Sequence, residues 1–254
     1  MELPGVRRVE HVMGMPILAD VRDDVPADEL LDEVFAWFGW VDETFSTYKE
    51  ESEVSRLGRG ELALADAHPE VQAVIARCGQ LQVETGGWFD AYAGGTLDPS
   101  GLVKGWSVDR AAEILDRGGL RNYALNAGGD IRLRGRAVPS WSWRVGIQHP
   151  FERDAVARIV ESTDLAMATS GAYERGHHVL DPHTRLAPEG ILSVTITGPD
   201  LATADAYATA GFAMGAERVI HWTARLRGYQ ALTILADGRV LATPAFPAAT
   251  SAAA

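Results

Sequence analysis

Two separated motifs carry residues that could handle a phosphate group. The first runs from Asp98 to Lys104 and combines an acid, a turn glycine at Gly101 and a lysine. The second contains Asp205 and Thr209, which lie about 40° apart around a helix and can therefore approach one ion. Oxygen ligands with one fixed cation suit a magnesium-assisted phosphate site.

Each motif also has a simpler interpretation. Lys104 is predicted at the start of the helix after the Asp98–Gly101 turn, where a cation does not complement the helix dipole. That position favours a partner such as Asp98 or a phosphate, although a solvated surface lysine fits the same pattern. Asp205 alone fits an exposed aspartate on an alanine-rich helix, and hard cations want about six oxygens. Backbone carbonyls near Gly101 and phosphate oxygens could supply the rest.

Two further segments contain residues that could do chemistry. Asn126-Ala-Gly-Gly-Asp130 follows an apolar strand, and its glycines permit either a close approach by another group or a plain hairpin turn. It is not a Rossmann fingerprint. His177 and His178 are predicted in a strand and would point to opposite faces. His178 could be a general base or a phosphate contact, with a structural histidine as the alternative, and the spacing does not favour zinc.

The elements that must position these residues predict an α+β fold. Helices and strands interleave without strict βαβ order, which indicates a mixed or antiparallel sheet with packed helices. We expect a single domain over residues 1–243 and a disordered, alanine-rich tail at 244–254. Periodicity and turn signals predict helices near 26–41, 70–83, 104–116, 202–214 and 218–224, and strands within 6–20, 123–125, 143–147, 157–160, 165–168, 178–180, 192–196, 229–235 and 239–241.

Composition excludes several classes of function. The chain has 254 residues, of which 35 are acidic and 23 are lysine or arginine, for a net charge of -12. We expect no nucleic-acid or anionic-membrane partner, because both reward basic surfaces. The single cysteine, Cys78, fits a buried position in a helix and cannot form an internal disulfide. No stretch approaches the roughly 18 apolar residues of a membrane span, so we expect a soluble, cytoplasmic protein.

The order of the motifs resembles that of the ApbE-type FAD:protein FMN transferases over about residues 11–243. Each motif is weak alone, and their order carries the resemblance. The motifs are Met13-Gly14, Phe45-Ser-Thr-Tyr48, Ser52 to Leu57, Thr85 to Asp90, Asp98 to Asp109, Asn126 to Asp130, Ala168 to Gly171, His177 to Pro182, Ser193 to Thr195 and Ala204 to Thr209.

The resemblance implies an ApbE-like, T-fold-related fold and a set of site residues. It implies Mg2+ held by the Gly101 carbonyl and by the side chains of Asp205 and Thr209. It implies that Asp98 and Lys104 contact FAD, and it places His178 in a proton-transfer or phosphate-orienting role. The pocket for the flavin nucleotide would be lined by Met13, Tyr48, Trp88, Phe89, Asp90 and Leu180.

The reaction implied by the resemblance is post-translational flavinylation. FAD is the substrate, its pyrophosphate is cleaved, FMN passes to a Thr or Ser hydroxyl of an acceptor flavoprotein, and AMP leaves. Mg2+ and Lys104 would neutralise the pyrophosphate charge, which otherwise repels a nucleophile. The aromatic rings of Trp88, Phe89 and Tyr48 could stack on the isoalloxazine or adenine.

Two departures from the family leave alternatives open. Many members carry an export signal and a lipid anchor, whereas here we expect no membrane anchor. The segment Ala91–Leu97 is short, which could open the FAD pocket or remove part of the surface that docks the acceptor. The alternatives are a Mg2+-dependent FAD pyrophosphatase that gives FMN and AMP, and a non-catalytic FAD-binding protein. The sequence names no acceptor and leaves open whether the chain forms a homodimer.

Overall fold

The strands of this protein pair in an antiparallel manner throughout the residues that the structure describes. The computed structural model describes residues 4–151, 155–171 and 179–247. Its strands are β1 (Val6–Val12), β2 (Met15–Val21), β3 (Tyr123–Ala127), β4 (Asp130–Arg134), β5 (Trp143–Gln148), β6 (Val156–Ser162), β7 (Leu165–Gly171), β8 (Ile191–Gly198), β9 (Gln230–Leu235) and β10 (Val240–Ala242). Its helices are α1 (Asp28–Phe45), α2 (Glu53–Gly58), α3 (Pro69–Glu84), α4 (Ser100–Arg117), α5 (Leu201–Met214) and α6 (Ala216–Thr223), with a 3-10 turn at Leu64–Asp66.

Within these described ranges, eight strands form one sheet in the order β1-β2-β3-β4-β7-β8-β9-β10, and β5 and β6 form a separate hairpin. Strand β4 pairs directly with β7, so the β5–β6 hairpin leaves the sheet between them. Every described pair is antiparallel, which selects the antiparallel alternative over the mixed one.

Alternation along the strands gives the sheet two covered faces. In β7, Ala166 and Ala168 belong to the large core cluster that includes the helices, whereas Met167 belongs to a smaller cluster. The smaller cluster also contains Trp143 and Val160 from the β5–β6 hairpin. Because side chains alternate with a period of two, the helices cover one face of the sheet and the hairpin covers the other.

Helix α5 is buried on nearly every side. Ala204, Ala206, Ala208 and Ala210 are all fully buried, and the helix lies between α4 and the strands β7 and β8. Small side chains permit such close contact on several faces at once. Asp205 is therefore carried into the interior.

Helix α4 crosses α5 at Gly105, which has no side chain. A Cβ added at Gly105 would lie 2.3 Å from the carbonyl oxygen of Leu201. The Gly105 N–H donates to Asp205 Oδ2 at 2.9 Å. In the opposite direction, Asp109 Oδ2 on α4 accepts the N–H groups of Leu201 and Ala202 at 2.7 and 2.8 Å, which satisfies free donors at the start of α5. The burial that this requires raises the pKa of Asp109 to about 6.

Several sequence predictions about elements are wrong. Helix α4 begins at Ser100, so Lys104 lies in its second turn and not at its start. Helix α2, which is capped by the Ser52 hydroxyl, was not predicted. Strand β4 was not predicted. Of the predicted strand 178–180, residues 179 and 180 are not in a strand, and His178 lies outside the described residues.

The prediction for Cys78 is confirmed, whereas the predicted start of the C-terminal tail is wrong. Cys78 is buried in α3 as predicted, and its burial raises the thiol pKa to about 12. The tail predicted from residue 244 begins too early, because Phe246 is buried in the smaller core cluster. Residues 248–254 lie outside the described residues. Among the described helices, none is long and apolar enough to cross a membrane.

Replacing Gly105 with alanine should lower the free energy of unfolding by about 1–3 kcal/mol, the usual range for an overpacked interior. The added methyl would collide with the backbone of α5, which has no room to move away. Urea unfolding of parent and variant measures the effect.

Gly79→Ala in α3 is the matched control, because an added Cβ there meets nothing within 4 Å. That variant should be neutral or more stable by up to about 1 kcal/mol. Equal stability of the parent and the Gly105→Ala variant would contradict the close crossing.

Candidate functional site

A cavity of about 310 Å3 opens beside the crossing of α4 and α5. Its wall combines residues of α4, α5 and β7 with the loops that precede α2 and α4. The structure thereby brings both motifs of the sequence analysis into one place. Of the predicted site residues, those that line this cavity are Tyr48, Trp88, Phe89, Asp90, Asp98, Gly101, Lys104, Leu180, Asp205 and Thr209.

The three predicted metal ligands lie together at the crossing. A Cβ added at Gly101 would lie 3.0 Å from Thr209 Oγ1, so the hydroxyl contacts the first turn of α4. Asp205, one turn earlier on α5, accepts the N–H of Gly105. A regular helix directs that same N–H toward the carbonyl of the residue four positions earlier, which is Gly101. A carbonyl, a carboxylate and a hydroxyl from two helices therefore share one corner of the cavity.

Asp205 is a carboxylate in an interior position, with 3% of its surface exposed. The alternative of a solvated aspartate is therefore wrong. Burial raises the pKa of Asp205, and the nearby carboxylate of Asp130 raises it further, whereas Lys104 and the Gly105 N–H act in the opposite direction. A raised pKa means that the surrounding groups do not fully offset the cost of burying the negative charge. A cation beside Asp205 would stabilise the ionised form.

Lys104 pairs with Asp130 and not with Asp98. Its Nζ lies 2.7 Å from Asp130 Oδ2, and Asp130 is almost fully buried. Asp98 is exposed, and its Oδ1 accepts the N–H of Ser100 at 3.0 Å, which helps to begin α4. The suggested Lys104–Asp98 pair is therefore wrong, although both side chains line the cavity.

The Trp88-Phe89 segment forms an aromatic part of the wall. Phe89 is buried, and its N–H donates to Thr85 Oγ1 at 2.9 Å. Trp88 is partly buried, and its ring forms a T-shaped contact with the His183 ring, with a distance of 4.6 Å between ring centroids. The Arg218 guanidinium lies 5.5 Å from the Trp88 ring centroid. These contacts hold an apolar ring surface at the cavity, where a flat ligand ring could stack.

A smaller cavity of about 100 Å3 adjoins the first. Met13 lines this smaller cavity and not the larger one. Tyr48 and Lys104 border both, and Tyr48 is 94% exposed. The predicted pocket residues thus divide between two connected spaces.

Sequence reasoning did not identify Asp130 and Ser170 as site residues. The segment that ends at Asp130 was left open between a close approach by another group and a plain hairpin turn. It forms the β3–β4 hairpin, and the Asp130 side chain lies on the helix-covered face of β4, opposite to Ile131. Ser170 lies on the same face of β7 as Ala168, and its Oγ lies 3.4 Å from Thr209 Oγ1. The alternation of small and polar residues with larger apolar ones is the signal that could have found both.

The predicted residue His178 lies outside the described residues. The residues that follow it, Val179, Leu180 and Pro182, line the cavity. In the described part of the chain, no group of three or more His, Cys, Asp or Glu side chains could hold a metal ion. A metal at the crossing would therefore need carbonyl and hydroxyl oxygens beside Asp205, a donor set that favours a hard cation.

Sequence comparison finds similarity to enzymes that transfer flavin. The chain is 38% identical over 132 residues to the FAD:protein FMN transferase of Vibrio cholerae, which covers 48% of this chain and 40% of that protein. It is 33% identical over 171 residues to the FAD:protein FMN transferase of Treponema pallidum, which covers 60% of this chain and 47% of that protein. The matched segments span less than half the length of these curated relatives.

Structural comparison and a family model extend the match over most of the chain. The flavin transferase ApbE from Vibrio cholerae has a TM-score of 0.84 at 24% identity, covering 95% of this chain and 97% of that chain. The ApbE protein of Thermotoga maritima has a TM-score of 0.85 at 23% identity with the same coverages. These likenesses confirm the expected α+β, ApbE-like fold. The sequence model of the ApbE family matches residues 13–96 and 91–233, and the chain therefore belongs to the ApbE family.

Proposed function

We propose that this chain is a Mg2+-dependent FAD:protein FMN transferase. In the proposed reaction, the hydroxyl oxygen of a Thr or Ser on an acceptor protein forms a bond to the phosphorus of the FMN half of FAD. The bond from that phosphorus to the bridging pyrophosphate oxygen breaks, and AMP leaves with that oxygen. The observation that carries the proposal is the convergence of Gly101, Asp205 and Thr209 with Lys104 in one cavity. The names of the relatives support the same reaction.

The oxygen donors at the helix crossing fit Mg2+. We assign the Gly101 carbonyl, the Asp205 carboxylate and the Thr209 hydroxyl as its ligands, because hard cations prefer oxygen and because Asp205 is a buried acid with incomplete compensation. When bound, Mg2+ would supply positive charge for the pyrophosphate and for the leaving AMP.

Lys104 provides a positive charge that belongs to the chain itself. The protein has a net charge of -12, so long-range attraction does not bring an anion such as FAD to this site. A local cation must do so. We propose that Lys104 Nζ donates to pyrophosphate oxygens, where it would stabilise the charge that grows as the phosphorus–oxygen bond breaks.

The size of the cavities suggests how FAD would lie. Ligand pockets usually hold about 300–1,000 Å3, so a cavity of about 310 Å3 is small for a dinucleotide. We propose that FAD also occupies the adjoining cavity beside Met13, since Tyr48 and Lys104 border both spaces. Trp88 and Phe89 would then contact one of its two ring systems in the larger cavity, where Asp90, Asp98 and Leu180 would also contact FAD.

The acceptor hydroxyl must lose its proton as it attacks. We assign this proton to His178, because an imidazole can accept a proton near neutral pH. Its neighbour Val179 lines the cavity, which supports the assignment.

Incubation with FAD, Mg2+ and a flavin-carrying acceptor domain should give an acceptor whose mass has increased by one FMN group. AMP should appear in equal amount, because one phosphorus–oxygen bond is exchanged for another. Intact-protein mass spectrometry and nucleotide chromatography measure both products, and an acceptor whose target Thr is changed to Val is the control.

Other products would favour the alternatives. Free FMN and AMP without an adduct would indicate an FAD pyrophosphatase. Intact FAD that stays bound to the protein would indicate a non-catalytic FAD-binding protein. Either result contradicts the proposed transferase.

The Asp205→Asn variant should lose turnover by roughly 100-fold or more, since even changes that only support a metal ligand cost 10–100-fold. The amide is neutral and a weaker ligand, so part of the activity should return as Mg2+ is raised. Turnover at several Mg2+ concentrations measures this. Asp116→Asn, which changes a carboxylate on α4 outside the cavity lining, is the matched control and should behave like the parent. Parental turnover and Mg2+ dependence in the Asp205→Asn variant would refute the assigned role.

A further inference from the structure

Asp130 is a buried carboxylate that does not itself line either cavity, yet it contacts Lys104, which lines both. We propose that Asp130 is a positioning residue: it fixes the place of Lys104 Nζ and so determines how the cavity binds the FAD pyrophosphate. This inference rests on the proposed function.

The geometry gives both carboxylate oxygens of Asp130 a task. Oδ2 lies 2.7 Å from Lys104 Nζ, and Oδ1 accepts the N–H of Thr169 at 3.1 Å. Asp130 directly follows Gly128 and Gly129, whose φ angles of 56° and 96° make the tight β3–β4 turn. A rigid hairpin thus holds the carboxylate between α4 and β7, and the carboxylate holds the ammonium group.

Stability alone does not account for this arrangement. Removing two charges from water costs free energy that their attraction often only offsets, so a buried ion pair is a weak source of stability. Asp130 is 1% exposed, and the Lys104 side chain is 19% exposed. Replacing a buried ion pair by apolar residues of similar volume is often neutral or stabilising. The ion pair does, however, give one defined position to the end of a long and flexible side chain.

A fixed ammonium group matters for binding. A free lysine side chain loses about 1.5–2 kcal/mol of rotamer entropy when it is ordered, and a ligand that has to order it binds less tightly. With Asp130 in place, the Lys104 side chain is already ordered before FAD binds. Thr169, which Asp130 also holds, lines the same cavity, so the carboxylate places two wall residues relative to each other.

The direction in which FAD affinity changes when Asp130 is replaced distinguishes a positioning role from the role of a negative charge alone. If Asp130 acted only as a negative charge near an anion site, its removal would make FAD bind more tightly. If it positions Lys104, its removal makes FAD bind less tightly although one negative charge is gone. Asp130→Asn is the suitable change, because the amide oxygen can still accept the Thr169 N–H.

The test is a double-mutant cycle on FAD affinity, measured by fluorescence titration with Mg2+ present and without an acceptor. Asp130→Asn should weaken FAD binding roughly tenfold, the size of one charge-assisted hydrogen bond. In a Lys104→Met background the same change should alter FAD affinity by less than about twofold, because there is no ammonium group left for Asp130 to position. Any effect that passes through the neighbouring Asp205 would persist in that background.

Asp20→Asn is the matched control, because Asp20 is another buried carboxylate, pairs with the cation of Arg22 and lies outside both cavities. It should leave FAD affinity unchanged. Thermal unfolding checks every variant, and Lys104→Leu, whose side chain likewise cannot bind Asp130, replaces Lys104→Met if the latter does not fold. Tighter or unchanged binding in Asp130→Asn, or an equal loss with and without Lys104, overturns the positioning role alone. A parent protein that binds no FAD overturns the proposed function and this inference together.

Discussion

The contact of α4 with α5 at Gly105 is the constraint on which the site depends. Because Gly105 has no side chain, the backbone of one helix lies directly against the other, and its N–H reaches the Asp205 carboxylate. The same approach places Thr209 against Gly101, one turn away. A second carboxylate, Asp109 on α4, accepts two backbone N–H groups at the start of α5 and so fixes the axial register between the two helices. Three oxygen groups meet only because both bonds hold this register.

The interior of this acidic protein concentrates charge at one point. Asp130 and Asp205 are both nearly fully buried, and Lys104 lies between the sheet and the cavity. Burial of two carboxylates near one ammonium group costs free energy, since each loses its hydration. Functional sites are where proteins retain such costly arrangements. We therefore regard this cluster as the part of the fold that serves ligand binding, whereas the sheet and the outer helices serve to hold it.

Local pattern predicted much of the fold and only part of the site. The apolar periodicity around Cys78 and the alanine-rich stretch of α5 predicted helices that the structure contains. The start of α4 was misplaced, because Pro99, Ser100 and Gly101 have the composition of a turn but here form a helix start. The Lys104–Asp130 pair joins a helix to a hairpin that is adjacent only in the folded chain, so no spacing rule could reveal it. Every described residue to which the resemblance to the ApbE family gave a role lines one of the two cavities, because ordered motifs record contacts that local periodicity does not.

The central claim is that the α4–α5 crossing holds a divalent cation against the pyrophosphate of FAD. A crystal of the protein with FAD and with Mn2+ in place of Mg2+ tests it most directly, because Mn2+ scatters anomalously. The account predicts one anomalous peak bounded by the Gly101 carbonyl, Asp205 and Thr209, with the FAD phosphates between it and Lys104. A peak elsewhere, or FAD bound with its phosphates away from the crossing, would contradict the account.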